Sequence, residues 1–220
     1  MQQVKTILLS KSVFEDNDRA ADELRARLRE KSVCLVNVMS SPGSGKTTLL
    51  IALIRRLMKR YRVGVMEADI DSDIDAVNVA RETLCRSVQL HTGGMCHLDA
   101  GMTAQGLSEL GDGLDLIFLE NVGNLVCPAE YDTGATFNVV ILSVPEGVDK
   151  PLKYPLVFQN SDLVVVSKID ALPYFDFDME QCVQHVGSRN GGAAVIPVSA
   201  KTGENMDALE NWFINKLSEV

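Results

Sequence analysis

Two sets of residues have types and spacings that can do chemistry. The first is Ser40-Ser41-Pro42-Gly43-Ser44-Gly45-Lys46-Thr47-Thr48. Small residues let backbone N–H groups converge on a phosphate, and a helix N-terminus behind them adds positive potential. A lysine followed by a hydroxyl residue reaches the β/γ-phosphates and a Mg²⁺ ion. Gly43, Ser44, Gly45, Lys46, Thr47 and Thr48 are therefore candidate phosphate and Mg²⁺ ligands, with Lys46 also acting in catalysis. The usual pattern is G-x-x-x-x-G-K-[ST], and Ser40 stands where its first glycine would. That fits if the position needs small size rather than a positive φ. The second set is Cys96-His97 with Cys127. Thiolate plus imidazole suits Zn²⁺, Ni²⁺ or Cu⁺ better than Mg²⁺. Three ligands leave a tetrahedral site one short. The fourth would be water, another residue, or a group from a second copy across a two-fold axis. Spacing alone supports equally a pair of unrelated surface thiols beside a capping histidine.

Positioning these groups requires strands that end where the chemistry begins. The apolar run over 33–39 predicts a buried parallel strand before the first set, and a helix follows from Leu49 to about Arg60. Apolar runs predict further strands over 62–66, 87–91, 114–119, 137–144, 163–166 and 194–198, with helices between them and a last helix over 205–217. This is an α/β pattern: a mostly parallel central sheet of about seven strands with helices on both faces, the fold class of P-loop NTPases. Ahead of it, Ala20, Ala21, Leu24 and Leu28 recur at helical spacing among charges. Residues 1–32 read as an amphipathic helical extension on the outside of a nucleotide-binding domain over 33–220.

In an open parallel sheet the carboxyl ends of the strands face the ligand. After the second strand come Glu67, Asp69, Asp71, Asp73 and Asp75. Asp69 is the foremost candidate for Mg²⁺ or for the attacking water. Asp71, Asp73 and Asp75 divide evenly between that role and a solvated loop capping the next helix, and Asp75 shares with Asp69 the candidacy for orienting water. Glu120-x-x-Gly123 resembles the D-x-x-G element with which GTPases sense the γ-phosphate: Glu120 would hold Mg²⁺ through water, and the Gly123 N–H would meet the phosphate. Ser167-Lys168-Ile169-Asp170 resembles the guanine-selecting N-K-x-D, with Asp170 accepting from guanine N1 and N2 and the Lys168 stem stacked on the base. Serine in place of asparagine predicts a weakened link back to the phosphate loop. Ser199-Ala200-Lys201 resembles the remaining guanine loop, with the Ala200 N–H on the base oxygen. The order of these elements is that of a GTP hydrolase.

Composition sets bounds. The chain of 220 residues is long enough for one domain with a substantial core, and its net charge of −9 disfavours nucleic acid and anionic membranes as partners. No apolar run is long enough to span a membrane and no secretory signal precedes the first helix, which points to the cytoplasm. Five scattered cysteines do not make a disulfide framework. Cys34 in the first strand, and Cys85 and Cys182 in helical contexts, read as small buried hydrophobes.

The strings E-N-V-G-N-L-V-C-P-A-E (120–130), G-G-M-C-H-L-D-A (93–100), D-K-P-L-K-Y-P (149–155) and S-K-I-D-A-L-P-Y-F-D-F-D (167–178) together resemble the hydrogenase nickel-incorporation GTPase family, HypB. The resemblance covers nearly the whole chain from Val33 onward. It implies a dimerising P-loop GTPase of the metallochaperone class that uses Mg²⁺ with GTP. Its task would be to carry Ni²⁺, with Zn²⁺ as the alternative metal, and to deliver nickel to the large subunit of [NiFe] hydrogenase alongside a nickel-delivery accessory protein. It places a shared metal site at Cys96, His97 and Cys127 of a homodimer interface. It assigns nucleotide roles to Lys46, Thr47, Asp69, Glu120, Lys168 and Asp170. Lys150 or Lys153 would reach toward the partner copy. Residues 1–33 contain no cysteine or histidine, so the second metal site that some relatives carry there is expected to be missing. The sister urease nickel-delivery GTPase is the nearest rival, but it follows its Cys-Pro with histidine where this chain has Ala129. A metal carrier without turnover is a rival of another class, and an ATP-dependent partitioning or iron–sulfur scaffold is disfavoured by Asp170.

Overall fold

The computed structural model describes residues 11–69 and 74–219. Helix α1 (Lys11–Glu30) leads into β1 (Cys34–Ser40), α2 (Lys46–Leu57), β2 (Val63–Asp69), α3 (Ile74–Thr83), β3 (Arg86–His91), α4 (Ala100–Leu110) and β4 (Leu116–Glu120). The second half comprises α5 (Cys127–Glu130), β5 (Phe137–Ser143), α6 (Lys150–Lys153), α7 (Pro155–Gln159), β6 (Leu163–Ser167), α8 (Met179–Gly187), β7 (Ala194–Pro197) and α9 (Met206–Leu217). The strands form one seven-stranded sheet in the order β3-β2-β4-β1-β5-β6-β7. Every neighbouring pair is parallel.

Burial explains the strand sequences. β1, β4 and β6 are buried at every position, as parallel strands covered on both faces must be. On one face Val36, Val38 and Phe118 meet Leu49, Leu53 and Ile54 of α2 and Phe213 of α9. The Phe118 and Phe213 rings pack edge-on with centroids 5.6 Å apart. On the other face Met39, Leu142 and Val164 meet Phe158 of α7 and Cys182 of α8. Beside them Leu35, Met66 and Leu119 meet Leu24 and Leu28 of α1 and Leu110 of α4. Each such fully buried side chain contributes on the order of 2 kcal/mol of transfer free energy.

Two local expectations are corrected. β2 does not stop at Met66 but runs on through Glu67-Ala68-Asp69, in ladder with Gln89 and Glu120 on its two neighbours. Ladder hydrogen bonds are indifferent to side-chain charge, so the strand carries Glu67 into the interior with 2% exposure. Cys85 is not helical. Leu84 takes a left-handed φ of 61° that ends α3, and Cys85 lies buried in the turn before β3.

The carboxyl ends of β1, β2, β3, β4, β6 and β7 carry the loops of the candidate site. Among the described residues no helix is long and apolar enough to cross a membrane.

Candidate functional site

The phosphate loop turns between β1 and α2. Gly43 and Gly45 have φ of 75° and 89°, left-handed values that side chains resist, and Gly45 serves as the N-cap of α2. Ser40 has no such need. It is the last residue of β1, has no positive φ and is fully buried, so the small-residue reading of this departure fits its backbone. The Ser44 hydroxyl donates to Ser40 Oγ at 2.7 Å, and Ser40 Oγ donates to the Ser41 carbonyl at 2.9 Å. Thr48 is exposed on the first turn of α2.

Glu120 closes β4 beneath this loop with no solvent exposure. Its Oε1 lies 2.9 Å from Lys46 Nζ and accepts from Thr47 Oγ1 at 2.8 Å. Its Oε2 is buried with no hydrogen-bond partner. A buried, unpartnered carboxylate oxygen beside a threonine hydroxyl is a donor set suited to Mg²⁺ and its waters, so these residues fit that ion. Asp69 ends β2 two strand neighbours away from β1, and its carbonyl accepts from the Thr92 N–H at 3.2 Å. Asp71 and Asp73 lie outside the described residues; Asp75 falls in the first turn of α3, and its side chain is likewise outside the description. A Cβ added at Gly123 would lie 3.2 Å from Pro42 Cγ and 3.5 Å from its Cα, so the loop after Glu120 rests directly on the phosphate loop.

The base-reading loops sit on the other side of β1. Ser199 is fully buried, and its hydroxyl donates to Asp170 Oδ1 at 2.7 Å while accepting from the Thr202 N–H at 3.1 Å. This fixes the direction of the Asp170 carboxylate, with Ala200 and Lys201 following in the same turn. Lys168 adopts φ 60° and donates from Nζ to the Gly43 carbonyl at 2.6 Å. The link expected of Ser167 is in place: Ser167 Oγ donates to the Ser44 carbonyl at 2.8 Å, inside the protein. β6 ends close enough to the phosphate loop for a side chain as short as serine to reach it.

The thiols approach from two loops. Thr92 Oγ1 donates to the Met95 carbonyl at 2.6 Å, shaping the turn before Cys96. Asn124 Oδ1 accepts from the Val126 N–H at 2.8 Å, shaping the turn before Cys127. Cys96 and Cys127 come within hydrogen-bonding reach of one another, and that bond, followed by burial, raises the Cys96 pKa above its ordinary value. His97 does not complete the cluster. Its ring stacks on Tyr131 at 3.7 Å and 11°, with Nδ1 buried and unpartnered. Burial lowers its pKa, opposed by Asp99 and Glu130. Among the described residues no three His, Cys, Asp or Glu side chains stand close enough to hold one metal ion. The structure thus brings two of the three expected metal ligands together within one chain. The remaining cysteines are buried, and burial pushes the Cys34 and Cys182 thiols up to about 12 and about 11.

The family model for the CobW/HypB/UreG nucleotide-binding domain matches residues 34–197. The HypB hydrogenase maturation factor of Azotobacter chroococcum is 45% identical over 214 residues, covering 96% of this chain and 70% of that protein. The chain belongs to the HypB family. A HypB-family relative from Helicobacter hepaticus, a hydrogenase/urease maturation factor, is 38% identical over 98% of this chain and 90% of its own length. The crystal structure of HypB from Helicobacter pylori in complex with nickel superimposes with a TM-score of 0.87 at 36% identity, covering 93% of this chain and 96% of that one. The seven-stranded parallel sheet is therefore the P-loop NTPase fold of HypB.

Within this HypB-family fold some contacts have no clear signal in the sequence. Tyr131, four residues beyond Cys127, gives His97 its stacking partner. Glu146 takes the Ser143 N–H and hydroxyl, both at 2.8 Å, and stands 3.5 Å from Lys150. Lys150, expected to reach a partner copy, lies 3.4 Å from Ser41 Oγ of its own phosphate loop. A Ser-x-x-Glu capping pattern at 143–146 was the available clue to this arrangement.

Proposed function

We propose that this HypB-family chain is a GTP-hydrolysing nickel metallochaperone for [NiFe] hydrogenase maturation, acting as a homodimer whose metal site is coupled to nucleotide state. One observation carries the reading. A single loop starts at Glu120, which holds Lys46 and Thr47, rests at Gly123 on the phosphate loop, and ends at Cys127, which pairs with Cys96. A shift of the Gly123 amide toward a γ-phosphate is therefore delivered a few residues later to a thiol.

Residues 33–220 act as the GTPase domain and residues 1–32 as its helical extension. Asp170, held by Ser199, accepts from guanine N1 and N2, while the Lys168 stem covers the base and the Ala200 amide meets its oxygen. Lys46 neutralises charge on the β/γ-phosphates, and water attacks in line without a covalent intermediate. Asp69 or Asp75 orients that water. Thr47, Glu120 and Asp69 would hold Mg²⁺, which supplies charge neutralisation on the phosphate oxygens when bound. Cys96 and Cys127 of two facing copies, with His97 as a further ligand, carry Ni²⁺ as cargo, and the same donors accept Zn²⁺. The accessory protein and the hydrogenase large subunit are the partners, in the cytoplasm.

The test is solution mass and metal content with Ni²⁺ or Zn²⁺, with and without a non-hydrolysable GTP analogue. Wild type is expected to dimerise and retain metal, and Cys127→Ala to lose the metal. Indifference of mass and metal to both nucleotide and mutation would sink the coupled metal site. Because the Helicobacter hepaticus relative is a hydrogenase/urease factor, nickel transfer to urease is the control, and Ala129 in place of histidine predicts preference for hydrogenase.

A further inference from the structure

Helix α1 supplies none of the candidate ligands, yet one of its side chains joins the two loops that bear the thiols. Asn17 Nδ2 donates to the Asp132 carbonyl at 3.0 Å, and Asn17 Oδ1 accepts from the Ala100 N–H at 3.0 Å. Asp132 lies five residues beyond Cys127, and Ala100 lies four residues beyond Cys96. The two partners make opposite demands: a carbonyl needs a donor and an N–H needs an acceptor. A side-chain amide presents both, one on each arm. Ala100 opens α4, where the first N–H groups have no partner within the helix. Asp99 takes the Met102 N–H at 2.8 Å, and Asn17 takes that of Ala100.

The segment after Cys127 is fastened to α1 a second time. Arg25, about two turns along the helix from Asn17, donates to the two Asp132 carboxylate oxygens at 2.7 and 2.8 Å and to the Ala135 carbonyl at 3.0 Å. Asp132 Oδ1 also accepts from the Gly134 N–H at 2.8 Å. A Cβ added at Gly134 would stand 2.9 Å from Leu24 Cδ2 and 3.1 Å from the Ala21 carbonyl oxygen, so this segment lies directly against the helix. On the other side, Leu98 shares the apolar cluster of Leu24 and Leu28, which keeps the Cys96 loop close to α1. Apolar contact has little direction, whereas the Asn17–Ala100 hydrogen bond fixes where along the helix that loop sits.

We infer that Asn17 is a positioning residue for the thiol pair. By bridging the loops after Cys96 and Cys127 it sets how closely the two sulfurs approach, and with that how tightly both can hold one thiophilic centre. The amino-terminal helix is then part of the frame of the metal site. Toward Ni²⁺ this rests on the cargo reading above; toward the approach of the two sulfurs it rests on the hydrogen bonds alone.

Titration of the full chain with phenylarsine oxide, and separately with Ni²⁺, tests this. The arsenical closes on two neighbouring thiols: two As–S bonds form, and its oxygen leaves as water with both thiol protons. It reads sulfur approach whether or not the chain carries nickel, and Cys34, Cys85 and Cys182 are buried away from it. Asn17→Ala is expected to weaken both ligands by roughly five- to tenfold. Asn17→Asp keeps the acceptor for Ala100 and leaves Asp132 in the hold of Arg25, so it is expected to stay within about threefold of wild type. Leu28→Ala is the control for a helix that is merely loosened. Leu28 lies about three turns along α1 from Asn17 and lines a cleft with Val33 and Leu114. Its truncation is expected to lower the thermal midpoint more than Asn17→Ala does, while leaving arsenical affinity within about twofold. If Asn17→Ala leaves arsenical affinity unchanged, or Leu28→Ala weakens it as much, the inference is overturned, and Ni²⁺ binding by wild type still upholds the cargo reading. If wild type takes up the arsenical but not Ni²⁺, the cargo reading falls and Asn17 is judged on the arsenical alone. If wild type takes up no arsenical, the sulfurs do not act as a pair and the inference falls.

Discussion

The nucleotide end and the thiol end of this molecule are built to different degrees of completeness. At the phosphate loop, side chains from β4, β6 and the loop after β5 converge: Glu120 on Lys46 and Thr47, Ser167 and Lys168 on successive carbonyls, Lys150 on Ser41. Those residues all come from one chain. At the thiol end, Cys96 and Cys127 meet, His97 turns to Tyr131, and no three-ligand group forms among the described residues. The difference teaches where each function is encoded. Phosphate recognition is a property of the fold, whereas metal binding on the proposed reading is a property of assembly. A rigid site suits a ligand that must be read, and a divided one suits a cargo that must be let go.

Mutation can break this contrast, beginning where the effect is largest. Lys46→Ala is expected to lower GTP hydrolysis by about a hundredfold or more, since one preorganised charge at a transition state is worth that much; phosphate release measures it. Retained steady turnover in this variant would show that hydrolysis lies elsewhere. Asp170→Ala should cost GDP roughly a hundredfold in affinity through two lost charge-assisted bonds, with ADP affected little. Nucleotide titration reads the change in the ratio. Cys127→Ala should weaken Ni²⁺ by at least the roughly ten- to hundredfold that changes outside the ligand shell produce, while leaving GDP affinity within about twofold. A parallel fall in GDP affinity would mean that the two ends are not separable.

The smallest effect belongs to neither end and serves as a baseline. Asp115 accepts from the Arg62 backbone N–H at 2.7 Å and pairs with its guanidinium, and that hydrogen bonding lowers the Asp115 pKa. A carboxylate depressed in the folded state stabilises above its unfolded pKa, near 4, and loses that contribution as pH falls through the lower folded value. Asp115→Asn should thus lower the melting temperature by only a degree or two at pH 7, because the Arg62 side of the pair is largely exposed. The gap should close as the pH drops below about 4, which a melting series in acid would reveal.

The sequence carried different amounts of information about the two ends. Strands read cleanly because parallel strands covered on both faces are continuous apolar runs, as in Leu163–Ser167. Boundaries slipped where side-chain type and backbone state disagree. Glu67 is a carboxylate inside a ladder, and Leu84 takes a left-handed turn that leucine seldom signals. Residue spacing located the phosphate loop because the cradle is local. It did not reveal that Ser167 reaches Ser44, since reach depends on how near two strand ends lie. Nor did it reveal the orientation of His97, because adjacent residues on a loop share an address but not a direction.

The buried sulfurs have a practical consequence. At neutral pH the Cys34 and Cys182 thiols stay protonated, with pKa values pushed up to about 12 and about 11, and Cys85 is enclosed with its sulfur on the Thr83 hydroxyl at 2.9 Å. Cys96 and Cys127 are the two cysteines that reach the surface. A maleimide dye added to the native chain should therefore mark these two positions before any other, and the lag caused by metal or nucleotide would be read directly as colour, with no engineered reporter.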